Sequence, residues 1–287
     1  MTWSGPALAE PSGAVQTIDR DLIVIPARYG SSRLPGKPLL QICGRSLLER
    51  VAAIAVQAAQ VARDCDVVVA TDDLRIADHA AALGIEVAMT DPALASGTLR
   101  AHAAAMQAPF RPRSVVNLQG DAPFVPVGTV VQVVEALRTS GADVVTPVFQ
   151  LDWKRLDRLR AHKQEAPFSG TTCIRAGDGR ALWFSKTIVP AIREEACYRE
   201  ERMSPVWQHI GLYGYTAEAL EWFAGQPEPG IYERLESLEQ LRFLEHGRSV
   251  HTVAVDAPPQ MLSGIDTESD LAMAEAAIAR YGDPFTA

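Results

Sequence analysis

Three cationic side chains are concentrated in one short segment near the start of the sequence. Residues 26–39 (PARYGSSRLPGKPL) carry Arg28, Arg33 and Lys37 and directly follow the apolar run LIVI at residues 22–25. Guanidinium and ammonium groups bind phosphate oxygens, and the backbone amides of residues 30–32 would add further donors. The segment therefore predicts a phosphate-binding loop, and a solvated basic loop is the alternative interpretation.

This loop does not have the chemistry of a Walker A loop, which requires G-x4-G-K-[ST]. Gly30 and Gly36 are separated by five residues rather than four. Lys37 is followed by Pro38, which supplies neither a hydroxyl for Mg²⁺ nor a backbone N–H for a phosphate. The segment must hold phosphates in another way.

The elements around the loop predict an α/β fold. Short, continuous apolar runs predict buried strands at residues 22–25, 66–70, 114–118, 143–147 and 250–255, and helical patterns lie at 46–59, 74–83, 98–107 and 128–139. Continuous β-branched runs suit strands covered on both faces, and strand–helix alternation indicates a doubly wound, mostly parallel, Rossmann-like sheet. Such sheets bind ligands at the carboxyl ends of their strands, where the loop begins.

The second half of the chain is less regular. Strand-like runs at residues 171–175 and 181–185 flank the turn signal AGDGR, which predicts an antiparallel hairpin. Apolar spacing predicts a single helix over 233–245, and Thr267 is the predicted N-cap of a helix over 266–281. We expect a disordered extension over 1–20 and a single domain over 21–287, with an insertion at 151–215.

The composition excludes several classes of protein. The 287 residues carry a net charge of −8, and the pI is about 5.3, which argues against a nucleic-acid-binding protein. No apolar run approaches the roughly 20 residues of a membrane span, and the start of the chain lacks the pattern of a signal peptide. The four cysteines match no zinc spacing. We expect a cytoplasmic protein.

Eight sequence blocks, in order, resemble the CMP-Kdo synthetases, the 3-deoxy-manno-octulosonate (Kdo) cytidylyltransferases. They are PARYGSSRLPGKPL, VVVATDD, SGT, NLQGDAPFVP, ALWFSKTIVPAIR, HIGLYGY, LESLEQLRFLEHG and GIDTESDL, and they span about 250 residues. The resemblance implies a Mg²⁺-dependent nucleotidyltransferase that moves CMP from CTP to an acidic acceptor and releases diphosphate. It also implies a homodimer, with acceptor and dimer contacts carried by the insertion at 151–215.

The resemblance also implies a role for particular residues. Asp121 and Asp266 match the family's metal ligands and, with Arg28 and Lys37, form the implied catalytic set. The implied nucleotide-binding residues are Ala27, Arg28, Ser31, Arg33, Lys37, Ala70, Thr71, Asp72, Ser96, Gly97 and Gln119. The implied acceptor-binding residues are Arg193, His209, Tyr213, Glu239 and Gln240.

For three of these residues the sequence also supports a structural interpretation. Without the resemblance, Asp121 is equally a turn residue and Asp266 a neighbour of a helix cap. His209 is equally a histidine satisfied within the core. Adjacent residues on one helix are about 100° apart, so we expect one of Glu239 and Gln240 to serve a neighbouring subunit.

Two departures from the family pattern leave the acceptor open. Leu99 and Ala122 stand where the family has glutamates. A Kdo-like sugar acid and a small phosphonate such as phosphonoformate are both compatible with the remaining residues.

Two other classes of protein fit less well. A non-catalytic nucleotide binder has no need of Arg28, Lys37, Asp121 and Asp266 together. A nucleotide-sugar glycosyltransferase should carry a D-x-D metal motif, but the corresponding place reads QGDAP, with a single aspartate.

Overall fold

The computed structural model describes residues 20–30, 34–226, 228–256 and 264–285. The strands are β1 (Asp21–Ala27), β2 (Gln41–Ile42), β3 (Arg45–Ser46), β4 (Cys65–Thr71), β5 (Glu86–Met89), β6 (Ser114–Leu118), β7 (Val144–Asp152), β8 (Thr172–Arg175), β9 (Ala181–Ser185), β10 (Met203–His209), β11 (Leu212–Thr216) and β12 (Val250–Ala254). The helices are α1 (Leu47–Ala62), α2 (Leu74–Ala82), α3 (Gly97–Ala105), α4 (Val127–Thr139), α5 (Trp153–Glu165), α6 (Ala217–Ala224), α7 (Ile231–Glu236), α8 (Gln240–Glu245) and α9 (Glu268–Tyr281). The predicted extension over 1–20, apart from Arg20, lies outside these ranges, as do Ser31 and Arg33.

Ten strands form one sheet in the order β5-β4-β1-β6-β11-β7-β10-β8-β9, and β12 pairs with β7. The neighbours β5, β4, β1 and β6 are parallel, and β12 is parallel to β7. Strand β11 runs antiparallel between β6 and β7. This arrangement confirms the predicted fold class. The predicted hairpin is β8–β9, and it joins the main sheet through β10.

Helices cover both faces of the sheet, which explains why its parallel strands β1, β4 and β6 are mainly apolar. On one face, α1 packs on β1 and α4 packs on β6, with buried residues such as Ile23, Val51 and Val133 in one core cluster. On the other face, buried residues such as Val24 on β1 and Ala101 on α3 form a second core cluster. Because both faces are covered, a site can open to solvent at the carboxyl ends of the strands.

The single helix predicted over 233–245 is wrong: the chain forms α7 and α8 with a break at Ser237, whose φ is 51°. Nine residues apart, Glu233 and Arg242 would lie on opposite sides of a straight helix. In the broken arrangement they form a buried two-point ion pair with contacts of 2.5 and 2.7 Å. This ion pair explains the break, which a leucine spacing cannot predict.

The C-terminal helix α9 is fixed at both ends. Thr267 and Asp270 form the predicted capping box at its start. Past its end, Asp283 accepts hydrogen bonds of 2.9 and 3.0 Å from Arg50, a fully buried arginine of α1 that also donates to the carbonyl of Ile42. These contacts hold the segment that carries Asp266.

Among the described residues, no helix is both long enough and apolar enough to cross a membrane.

Candidate active site

Lys37 is held by a rigid turn at the end of the basic loop. Gly36 adopts a left-handed conformation (φ 69°), donates to the carbonyl of Tyr29 at 3.0 Å, and caps a single 3₁₀ turn that begins at Lys37. The Lys37 Nζ atom then lies 2.7 Å from Oδ2 of Asp121 and 3.1 Å from Oδ1 of Asp266. The structure thus brings together three residues that are far apart in the sequence.

Asp121 is positioned by the close approach of β6 to β1. It follows Gly120, where an added Cβ would lie 2.6 Å from the carbonyl oxygen of Pro26, so no side chain fits without a backbone shift. The backbone of Asp121 also accepts a hydrogen bond of 2.9 Å from Ile265 N. That bond places the segment that precedes α9, and with it Asp266, beside Asp121.

A polar cleft of about 220 Å³ opens beside this cluster. Its walls include Ala27, Arg28, Lys37, Ser96, Gly97, Gln119, Asp121 and Asp266, eight of the residues implied by the family resemblance. Ser96 is the N-cap of α3, and its side chain accepts from the backbone of Leu99. Arg28 is exposed and is available to a ligand in the cleft.

Arg100 also lies on this cleft and is a residue that the sequence reasoning missed. It is 2% exposed, and its guanidinium contacts Thr90 and, at 3.1 Å, the carboxylate of Asp72. Asp72 itself does not line the cleft, but it contacts Arg100, which does. Ala70 and Thr71 are fully buried at the end of β4 and do not line the cleft wall. Their predicted contacts with the base stay a prediction.

A second cavity, of about 270 Å³, adjoins the first and shares Gln119 and Asp121 with it. His209 and Tyr213 line this cavity, as the resemblance implies. So does Ala122, one of the two positions that depart from the family. The other, Leu99 on α3, instead packs against the second core cluster.

The other three predicted acceptor residues do not line the second cavity. Glu239 accepts a hydrogen bond of 2.5 Å from the Thr98 hydroxyl, and Gln240 accepts one of 2.9 Å from Tyr213. Both side chains are thus engaged within this chain, which removes the reason for assigning one to a neighbouring subunit. Arg193 is exposed and lies on the wall of neither cavity.

Lys186 is the cation of the second cavity, and the sequence reasoning missed it. The ammonium is half-buried, which lowers its pKa, and it forms no ion pair with the described residues. Its backbone is held by Glu236, which accepts from Lys186 N, and by the Lys163 ammonium, which donates to its carbonyl. The available signal was the block ALWFSKTIVP, in which Lys186 stands at the arginine of the family's ALYFSR.

Comparison with known proteins identifies the family of this chain. A family model described as "Cytidylyltransferase" matches residues 22–250. The chain belongs to the cytidylyltransferase family. The match includes the basic loop and the residues that line both cavities, except Asp266.

Curated relatives cover almost the whole chain. The 3-deoxy-manno-octulosonate cytidylyltransferase of Maricaulis maris is 41% identical over 263 residues, which are 91% of this chain and 98% of the relative. The protein of the same name from Xylella fastidiosa is also 41% identical, over 90% of this chain and 96% of its own.

A solved structure shares the fold. It is a CMP:2-keto-3-deoxy-manno-octonic acid synthetase complexed with CTP, which matches with a TM-score of 0.77 and 31% identity, over 91% of this chain and 99% of that one.

Proposed function

We propose that this cytidylyltransferase transfers CMP from CTP to Kdo and releases diphosphate. The observation that carries the proposal is the pair of adjoining cavities with a common wall at Gln119 and Asp121. One cavity has the cations Arg28 and Lys37, which suit a triphosphate, and the other has Lys186, which suits a carboxylate. The names of the curated relatives and the CTP complex of the matching structure support both substrates.

In the proposed reaction, two substrates meet at the shared wall. A hydroxyl oxygen of the acceptor attacks the α-phosphorus of CTP and its proton is released. The bond from the α-phosphorus to the bridging oxygen breaks, and diphosphate leaves with the electron pair. Lys37 and Arg28 stabilise the charge that develops on the leaving diphosphate, and the cavity walls orient the attacking oxygen.

We propose Mg²⁺ as the cofactor, with Asp121 and Asp266 as its ligands. Oxygens of both carboxylates approach the Lys37 ammonium within 3.1 Å, so the two carboxylates converge on one point, and they would share Mg²⁺ once the ammonium has turned to the phosphates. Among the described residues no group of three or more His, Cys, Asp and Glu side chains could hold a metal. Two carboxylates plus phosphate oxygens are what Mg²⁺ commonly uses, and the ion would neutralise phosphate charge.

The phosphonate alternative is not favoured. The curated relatives at 41% identity are named for the octulosonate, although Ala122 and Leu99 replace family glutamates. Ala122 leaves space at the wall of the second cavity without supplying an anion. We therefore keep Kdo as the acceptor.

The test is diphosphate release from CTP and Mg²⁺ in the presence of Kdo, with phosphonoformate and buffer alone as parallel reactions. We expect release with Kdo and only background with the other two. Release with phosphonoformate but not with Kdo would contradict the acceptor assignment. The same assay with ATP, GTP and UTP tests the choice of CTP.

We also propose a homodimer in the cytoplasm, where CTP is available. Helix α7 exposes Ile231 and Leu235, which share one face, and Tyr232, whose ring packs against Trp183 at 5.1 Å between centroids. Trp183 lies on β9, an edge strand of the described sheet. An exposed apolar face beside a sheet edge suits association with a second copy.

A further inference from the structure

Thr146 connects the strand β7 to His209 at the wall of the second cavity. The Thr146 side chain is fully buried. Its Oγ1 lies 2.8 Å from Nε2 of His209, 2.7 Å from the carbonyl oxygen of Leu212, and 3.5 Å from that of Ile210.

These contacts determine which ring nitrogen of His209 carries the proton. A carbonyl oxygen can only accept, so the single hydroxyl proton of Thr146 is donated to Leu212. Oγ1 must then accept from His209, which requires a proton on Nε2. A neutral imidazole has one N–H, so Nδ1 is left as an acceptor.

The surroundings keep the imidazole neutral. Burial lowers the pKa of His209 to about 3, and the nearby Lys186 ammonium acts in the same direction. The ring packs against Phe184 and Tyr213 at centroid distances of 5.4 and 5.2 Å. At neutral pH, His209 therefore offers a lone pair rather than a positive charge.

The other ring nitrogen of His209, Nδ1, makes no hydrogen bond within the described part of the protein. Because Nδ1 lacks a partner among the described residues and is not fully buried, it remains accessible to a ligand. His209 lines the second cavity together with Lys186. The cavity therefore presents one cation and one hydrogen-bond acceptor.

We propose that Thr146 is a positioning residue that fixes the His209 tautomer, so that Nδ1 accepts a hydrogen bond from a hydroxyl of the acceptor substrate. The inference rests on the proposed function of the second cavity as the acceptor site. A fully ionised carboxylate or phosphonate oxygen has no proton to donate to Nδ1. The pair His209 and Lys186 therefore selects an acid that also carries a hydroxyl, with the acid at Lys186 and the hydroxyl at His209.

The test compares Thr146→Val, which removes the hydroxyl at similar volume, with Thr146→Ser, which keeps it. We expect Thr146→Val to raise the KM for Kdo about tenfold and to leave the KM for CTP within twofold of wild type. Thr146→Ser should restore the wild-type KM for Kdo. Equal values for Kdo in all three proteins, or a matching rise in the KM for CTP, would overturn the proposal.

Nitrogen-15 NMR of the His209 ring, with His209→Gln to assign the signals, provides a readout that needs no activity. The wild-type protein should show protonated Nε2 and bare Nδ1 at pH 7, and Thr146→Val should populate the other tautomer. Protonated Nδ1 in the wild type would refute the inference even if Thr146→Val failed to fold. If the wild type released no diphosphate with Kdo, the proposed function would fail while the NMR result still stood.

Discussion

Lys37 pairs with both carboxylates that we propose as metal ligands, and its side chain is largely buried. An ammonium in this place holds the two aspartates together before substrate arrives. In the proposed reaction it also stabilises phosphate charge during transfer.

We predict that Lys37→Met lowers kcat by more than tenfold, because one cation is lost from the leaving diphosphate. Diphosphate release under saturating CTP and acceptor measures it. The matched control is Lys154→Met, which removes an exposed lysine of α5 and should leave kcat unchanged. Equal rates for the two variants would make the basic loop purely structural.

We predict that Asp121→Asn abolishes diphosphate release while the circular dichroism spectrum is retained, because the amide is a weaker ligand for Mg²⁺ than the carboxylate. Asp78→Asn, on the exposed face of α2, is the control and should be fully active. Near-normal release by Asp121→Asn would remove Asp121 from the proposed metal site.

The individual residues differ in how far the sequence could predict them. Lys37, Asp121 and Asp266 were singled out from motifs, although no local pattern shows that they meet across 84 and 229 residues. Arg100 was missed because only its contacts with Thr90 and Asp72 place it on the cleft, whereas Lys186 was missed although it stands within a matching block. Glu239 was placed by motif in the acceptor pocket, but its partner Thr98 lies 141 residues away in the chain.

At the level of elements, the close contact between the ends of β1 and β6 sets the shared wall of the two cavities. We predict that Gly120→Ala destabilises the protein by about 1–3 kcal/mol and lowers kcat, because its Cβ would meet the Pro26 carbonyl. Urea unfolding and diphosphate release measure the two effects. Gly128→Ala, in the first turn of α4 with open space around it, is the control and should be neutral or slightly stabilising.

The anchor of α9 should respond to acid. The hydrogen bonds from Arg50 lower the pKa of Asp283 below its ordinary value of 3.8. Because the folded pKa is the lower one, this stabilisation is complete above 3.8 and is lost as the pH falls through the folded value. We predict that Asp283→Asn lowers the free energy of unfolding by about 2–3 kcal/mol at pH 7. Below pH 4 this variant should lose stability less steeply than the wild type. Unfolding curves from pH 7 to pH 3 measure this, with Asp78→Asn as the control. The same free energy of unfolding in both variants at every pH would contradict the prediction.

The sequence predicted the elements where hydrophobic period alone decides them. Five apolar runs became β1, β4, β6, β7 and β12, with boundaries shifted by a few residues. Strands β10 and β11 were not predicted, because they mix polar and aromatic side chains and their pairing partners are distant in the sequence. The break between α7 and α8 escaped because a buried ion pair, rather than helix propensity, determines it.

At the scale of the whole molecule, the proposed dimer has a direct test. We predict that Leu235→Lys shifts the protein from dimer to monomer in light scattering, because a charge would enter the exposed apolar face of α7. Leu74→Lys, at an equally exposed leucine of α2, is the control and should remain dimeric. A dimer that persists in Leu235→Lys, or a monomeric wild type, would contradict the proposed surface.

The hydrogen bond between Thr98 and Glu239 has a thermodynamic consequence. Thr98 lies in the first turn of α3, beside Gly97, which lines the polar cleft. Glu239 follows Leu238, which lines the second cavity. This hydrogen bond therefore joins the wall of one cavity to the wall of the other. By reciprocity, any factor by which CTP tightens acceptor binding must equal the factor by which the acceptor tightens CTP binding. Titrating each substrate in the presence of the other, in the wild type and in Thr98→Val, would measure how much of that factor depends on this single buried hydroxyl.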